Sequence, residues 1–407
     1  MINRAFNITI FTVAIPILLQ IIYIRYVSYS VDKNDFGNFV IISTFIVALS
    51  QIFLSVPSQA FMRFYNSSNK LKFINEFRTY LIGVNIIGIL FVYFLYLFFG
   101  DRFEAIIYIL MYVYFALSNN YALNQQIFLL NIDRKRYLIL TLLESLSKFT
   151  FPIAGYYLYN TLESFLVGIV TGYVFSFILI SFFLKQYPFK IEFNFENQKK
   201  YLLYAYPIVF SAIFMWSISF SDRYFIDYFV GTQEVAIYAI LAQFAAFGQI
   251  LGMLFSTYVN PIVLKKYEEN AAEGLKLLKS YLTKLLYFSI FIFIAILIIP
   301  KGVFTLLIEK NIIYNDNYYL TFLILAAGIF LTVFQTAMSM YFILLKHLSV
   351  HAKIFIIASI INFLLNFYII KYGIIAAALS TFIAYLVINI LILIWLKKYQ
   401  LRCSKNA

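Results

Sequence analysis

Apolar residues run along this chain in long unbroken blocks rather than in alternation. Twelve blocks stand out, near 5–27, 37–58, 79–99, 104–123, 137–159, 162–184, 203–224, 236–259, 281–300, 318–345, 354–371 and 373–396. A hydrocarbon core about 30 Å thick is crossed by about 20 apolar residues of helix, and each block comes close to that length. A closed β-barrel would instead show alternating segments of about 10 residues. The pattern therefore predicts an all-α integral membrane protein with about twelve transmembrane helices. The first block is longer than the apolar core of a signal peptide, about 7–15 residues, and reads as the first span.

Basic residues between the blocks predict an orientation. With the N-terminus inside, the even-numbered connections and both termini hold 23 of the 31 Lys and Arg, including Arg4, Arg78, Arg134, Lys135, Arg136, Lys200, Lys265 and Lys266. The opposite side holds seven (Arg25, Lys33, Arg102, Arg223, Lys301, Lys310 and Lys371), and Lys148 falls inside a span. Cytoplasmic loops carry the excess of Lys and Arg, so both termini are expected in the cytoplasm. One miscounted span would scramble the alternation.

Composition agrees. The chain is 63% hydrophobic and 12% charged, against about 45–50% apolar and about 25% charged residues in a soluble domain. The net charge of +13 is accounted for by the inward loops. No segment is polar enough to present a basic patch to nucleic acid. The single cysteine, Cys403, excludes an intrachain disulfide, and His347 and His351 have too few further ligands nearby for a metal site. No phosphate-binding Gly-rich loop, H-E-x-x-H pair or sizeable extramembrane domain is present. The stretch from Lys265 to Leu282 reads as a short amphipathic helix continuing from span eight.

Features recur about 190–205 positions apart. Pro16 in span one is matched by Pro207 in span seven, and Pro57 near the end of span two by Pro261 near the end of span eight. Arg63-Phe-Tyr-Asn after the one is echoed by Lys265-Lys-Tyr-Glu-Glu-Asn after the other. These pairings predict two parallel six-helix halves, 1–184 and 201–407, joined by a cytoplasmic linker at 185–200. Transporters use such repeats, and paired Pro-interrupted helices point to the transport path. The four prolines are accordingly the candidate hinge or broken-helix positions.

Polar residues at membrane depth are costly and so informative. At 1.5 Å per residue from the Arg134 triplet, Glu144 lies about 12 Å and Lys148 about 18 Å into span five. Four apart, they share a helix face. They form either a structural ion pair or one wall of a wet cavity in which Lys148 meets an anionic headgroup. Arg63 is either an inner-surface anchor or a phosphate contact, for which its planar fork is suited. Asp222 and Arg223 read as an outer-interface ion pair or as substrate contacts. Asn85, Asn362 and Asn366 read as hydrogen bonds between helices or as contacts to sugar.

From Leu202 the chain reads LLYAYPIVFSAIFMWSISFSDRYFIDYFVGTQEVAIYAILAQFAAFGQILGMLFSTYVNPIV. Its Pro207 helix, Ser221-Asp-Arg-Tyr224, Gly231 loop, Tyr238 and closing Pro261 resemble the seventh and eighth helices of the polysaccharide flippases. These are the Wzx-like O-antigen and capsule repeat-unit transporters of the multidrug/oligosaccharidyl-lipid/polysaccharide (MOP) exporter superfamily. Asp35-Phe-Gly, Arg63-Phe-Tyr and INFLLNFYIIKYGIIAAALSTFIAYL from Ile361 are similar too. The resemblance implies two pseudo-symmetric six-helix bundles around a central cavity in the bacterial inner membrane. It implies alternating-access movement of an undecaprenyl-diphosphate-linked oligosaccharide to the outer leaflet. The membrane potential would favour that direction for an anion, by about 2.3 kcal/mol per charge per 100 mV.

No cofactor is expected, while coupling to a proton or sodium gradient stays open. Expected partners are the lipid-linked oligosaccharide and membrane lipids, together with a polysaccharide polymerase and a chain-length regulator as further candidates. Three rival readings remain: a drug or cation antiporter, which needs an acidic cavity that only Glu144 and Asp222 could supply; a lipid II flippase; and a repeat-unit polymerase, which would carry large outward loops.

Overall fold

A computed structural model describes residues 2–64, 69–100, 102–131, 133–185, 187–345 and 347–405. Within these, the side chains of 2–10, 13, 55–64, 98, 99, 204–210, 257, 261, 348 and 400–405 lie outside the described set. The regular secondary structure among the described residues is all helical, and its long helices follow the apolar blocks. They are α1 (Ile2–Ser30), α2 (Lys33–Phe64), α3 (Lys70–Phe99), α4 (Ala105–Leu130), α5 (Arg134–Tyr159) and α6 (Leu162–Leu184). There follow α7 (Phe195–Phe220), α8 (Thr232–Leu254), α9 (Ala271–Ile298), α10 (Asp316–Leu344), α11 (Leu348–Ile369) and α12 (Ile374–Lys405). Among the described residues, ten of these runs are long and apolar enough to cross a membrane by themselves.

The chain divides into two compact units, Met1–Ile213 and Phe214–Ala407. The division falls inside α7, beyond the 185–200 stretch expected as the linker. The reason is local: the start of α7 is bonded to α3. Glu76, buried on α3, accepts hydrogen bonds from Asn197 Nδ2 (2.9 Å) and Tyr201 Oη (3.2 Å). Arg78 donates to the Tyr187 carbonyl at 2.8 Å, and the Glu192 amide donates to Thr79 Oγ1 at 3.0 Å.

Within the first unit, α5 packs closely on α6, and α4 on both α3 and α6. Small residues permit the α5–α6 approach, as they do in membrane helices generally. A methyl group at Gly168 would sit 2.4 Å from the Phe151 carbonyl oxygen, and one at Gly155 would sit 2.2 Å from that of Ser164. Buried rings of Tyr23, Phe36, Phe39 and Phe165 pack together in this unit, with Phe39 and Phe165 centred 4.6 Å apart. In the second unit α12 lies against α10 and α11, around a core that includes Ile218, Phe342, Ala358 and Ile388.

One departure from the expected pattern has a plain cause. The helix Asn260–Glu269 does not run on through Leu282; it stops at Asn270, whose extended backbone and side-chain caps to the Ala272 and Glu273 amides start α9 afresh. Lys266 bridges the corner to Glu273 at 2.9 Å, which raises its ammonium above the ordinary lysine pKa. Pro16, a hinge or broken-helix candidate, lies within α1, which runs through it as one helix. The side chains of Pro57, Pro207 and Pro261, the other hinge candidates, lie outside the described residues.

Candidate functional site

The α5 helix is not regular where its charges sit. Residues Leu146–Thr150 form a π turn, in which the Phe151 amide reaches back to the Leu146 carbonyl. Pro152 follows at once. It has no amide hydrogen to give the Lys148 carbonyl four residues back, so the regular ladder has to be interrupted here. Wide turns of this kind are frequent at functional sites. A second one, Phe255–Val259, stands two residues before Pro261 in the other unit, with the Asn260 amide bonded to the Phe255 carbonyl.

Lys148 lies in the π turn. Its Nζ donates to Glu144 Oε1 at 2.5 Å, and the other carboxylate oxygen accepts from Gln125 Nε2 at 2.7 Å. The neighbouring Ser147 is buried against α6, bonded to Ser176 at 2.9 Å, and Gly172 leaves it room. One residue further is about 100° round the helix, and the Lys148 side chain emerges 40% exposed, with Glu144 at 23%. Tyr114 and Tyr173 lie within electrostatic reach of Lys148. Their ring centres are 5.8 Å apart, and Tyr121 stacks edge-on to Tyr173 at 5.6 Å. The Tyr173 hydroxyl is buried without a hydrogen-bond partner among the described residues.

This arrangement can do two things. The ion pair holds a carboxylate and an ammonium at membrane depth at a tolerable cost, because each is hydrogen-bonded. An ammonium has three donors, and the bond to Glu144 uses one of them, so a half-exposed Lys148 can still donate to an anionic oxygen.

Asp222 and Arg223 stand in the other unit. Both are buried, with Arg223 Nη1 3.9 Å from Asp222 Oδ1. The remaining oxygen of Asp222 accepts from Tyr238 Oη at 2.5 Å and from Thr381 at 3.4 Å. Arg223 also donates to the Ser219 carbonyl at 3.1 Å and packs over Phe220. The pair lines a cavity of about 310 Å³, so it lies inside its bundle rather than at an exposed interface.

The asparagines separate from these sites. Asn362 and Asn366 are wholly buried and bonded to each other at 3.2 Å, and Asn366 accepts from Ser380 of α12. They tie α11 to α12. Asn85 on α3 is half-buried, its carbonyl oxygen shielded and without a partner among the described residues. The Arg63 side chain lies outside the described residues. Sequence reasoning missed Gln125, the three tyrosines, Glu76 and the π turns. The signals were present: Ser118-Asn119-Asn120 and Asn124-Gln125-Gln126 are polar groups inside span four, and Pro152 lies inside span five.

Residues 207–368 match the MatE family model. No curated protein sequence matches the chain. Among solved structures, the chain is similar to the lipid II flippase MurJ in an inward closed conformation, at 18% identity and TM-score 0.74, over 97% of this chain and 87% of that one. An inward-facing multidrug-resistance MATE family transporter of the MOP superfamily is similar at 15% identity and TM-score 0.70, over 98% and 99%. A MOP superfamily transporter from Pyrococcus furiosus, described as having a binding pocket of reversed polarity, is similar at 16% and TM-score 0.63, over 96% and 93%. The fold is that of the MOP transporters.

Proposed function

We propose that this protein is a flippase that carries a lipid-linked, phosphate-bearing saccharide across the cytoplasmic membrane, with Lys148 as a contact to the anionic link. On this reading the substrate is an oligosaccharide on a polyprenyl diphosphate, moved outward by alternating access for surface polysaccharide synthesis. The observation that carries it is the half-exposed Lys148 ammonium at membrane depth, on a fold shared with a lipid II flippase. An ammonium there lowers the cost of bringing phosphate oxygens into the membrane, while the polyprenyl tail can stay in lipid. The likeness to a multidrug-resistance MATE transporter is at least as extensive, but the two carboxylates that a cation site would draw on, Glu144 and Asp222, each face a basic partner. That pairing weakens the antiporter reading.

The test is genetic and chemical together. Cells lacking the protein should accumulate lipid-linked repeat units on the inner leaflet, where they resist labelling by a membrane-impermeant periodate reagent. Wild-type protein should restore labelling and Lys148→Ala should not. Full restoration by Lys148→Ala would overturn the role of Lys148. Restoration of a cell-wall defect instead, with no effect on surface polysaccharide, would move the substrate to the peptidoglycan precursor.

A further inference from the structure

The unit Phe214–Ala407 contains more polar surface inside its bundle than the Asp222–Arg223 pair explains. Next to the cavity of about 310 Å³ lies a second, of about 390 Å³, and Ser219, Gln249 and Tyr385 belong to the walls of both. Gln243 lines the first; Ser256, Thr332 and Thr336 line the second. These groups project from helices that are otherwise strongly apolar. The backbone is irregular at the same place. Helix α8 tightens into a 3-10 turn at Ala246–Gln249 and, beyond its end, widens into the π turn Phe255–Val259. At membrane depth, irregular backbone is tolerated where it is buried in protein or lines a wet cavity, and polar side chains follow the same rule. Two independent features thus point to a hydrated chamber.

Charge decides what the chamber suits. The acidic and basic side chains in its walls are Asp222 and Arg223, one of each sign and 3.9 Å apart, so neither sign is in excess. A phosphate finds no net attraction here, and neither does an organic cation. What the walls do offer is neutral hydroxyls and amides. They also hold two buried polar atoms without a hydrogen-bond partner among the described residues, the acceptor Asp222 Oδ1 and the donor Arg223 Nε. Aromatic faces lie beside them: Phe220, Tyr238, Phe382 and Tyr385. Hydroxyl groups can satisfy both the acceptor and the donor, while the C–H faces of a pyranose cover rings.

We propose that this chamber binds an uncharged saccharide unit. For its place in transport the idea rests on the lipid-linked saccharide reading above, but binding itself can be measured without transport. Full-length protein in nanodiscs would carry Cys403→Ser, to remove the native thiol, and Ala246→Cys in the chamber wall. A second reporter, Thr336→Cys, sits in the adjoining cavity. The rate of maleimide labelling would be followed with maltotriose, with chitotriose, and with inorganic pyrophosphate.

At least one trisaccharide should slow labelling of either reporter about fivefold, and pyrophosphate should not. Adding Gln249→Leu should raise the sugar concentration needed for protection about fivefold, the loss expected for one neutral hydrogen bond. Reporters that never react, labelling unaffected by both sugars, or equal protection by pyrophosphate would each overturn the proposal. Sugar protection in a protein that exports no lipid-linked repeat would leave the site standing and remove the flippase reading.

Discussion

Replacement of Lys148 separates a structural ion pair from a substrate contact. In Lys148→Met the Glu144 carboxylate keeps its bond to Gln125 but loses the ammonium 2.5 Å away. Breaking a fully buried pair by removing one partner costs about 3–5 kcal/mol. Here the pair is only partly buried, Lys148 being 40% and Glu144 23% exposed, so about 1–3 kcal/mol is expected. The double variant Lys148→Met, Glu144→Gln removes both charges and should recover most of that stability, since a neutral amide can still pair with Gln125. Thermal unfolding in detergent or nanodiscs would measure both. Export should not recover. If Lys148 donates a charge-assisted hydrogen bond to phosphate, worth about 1.5–3 kcal/mol, the double variant should export about 10–150-fold more slowly than wild type per folded molecule. Export at the wild-type rate by a stable double variant would refute the contact and leave the pair a structural one.

Other expectations follow from single contacts. Gly168→Val should destabilise the first unit by about 1–3 kcal/mol through overpacking, because its side chain meets the Phe151 carbonyl oxygen; an unchanged melting temperature would contradict this packing. Glu76→Ala strands two donors, Asn197 and Tyr201, at about 1–3 kcal/mol, and should speed proteolysis in the 185–194 segment; equal cleavage rates would show that the clasp contributes little. Asn366→Leu should lower stability by about 1–2 kcal/mol through the loss of its bonds to Asn362 and Ser380, with export per folded molecule unchanged; a selective loss of export would make it a substrate contact instead. Cysteines placed at 135 and 265 should be labelled only from the cytoplasmic side; labelling from outside would reverse the orientation drawn from the Lys and Arg distribution.

Much of the fold was legible in the sequence because a bilayer imposes one strong rule on a spanning helix, its apolar length. The blocks that predicted spans three to six reappear as α3 to α6, with ends shifted by up to nine residues. The pairing of Glu144 with Lys148 was legible for a similar reason: a spacing of four on a helix fixes a shared face. Tertiary partners were less accessible. Nothing in the spacing of Gln125 indicates that α4 delivers it to Glu144, and nothing near Asn362 indicates that Ser380 waits on the next helix. Asp222 read as part of an interface ion pair or as a substrate contact, and nothing in its spacing indicated that Tyr238 and Thr381 would bond its carboxyl inside the bundle. Counting gives a depth along the membrane normal and carries no information about which way a side chain is turned.

The pairing of each wide turn with a proline has a mechanical consequence. A helix with one carbonyl left over has no fixed address for the defect: if the surplus moves along by a residue, one peptide exchanges its acceptor and the side chain it carries swings by about 100°. The proline bars travel on one side, since no amide there can accept the handover. For α5 any such shift would be bounded at Pro152, and Lys148 is among the residues it would turn.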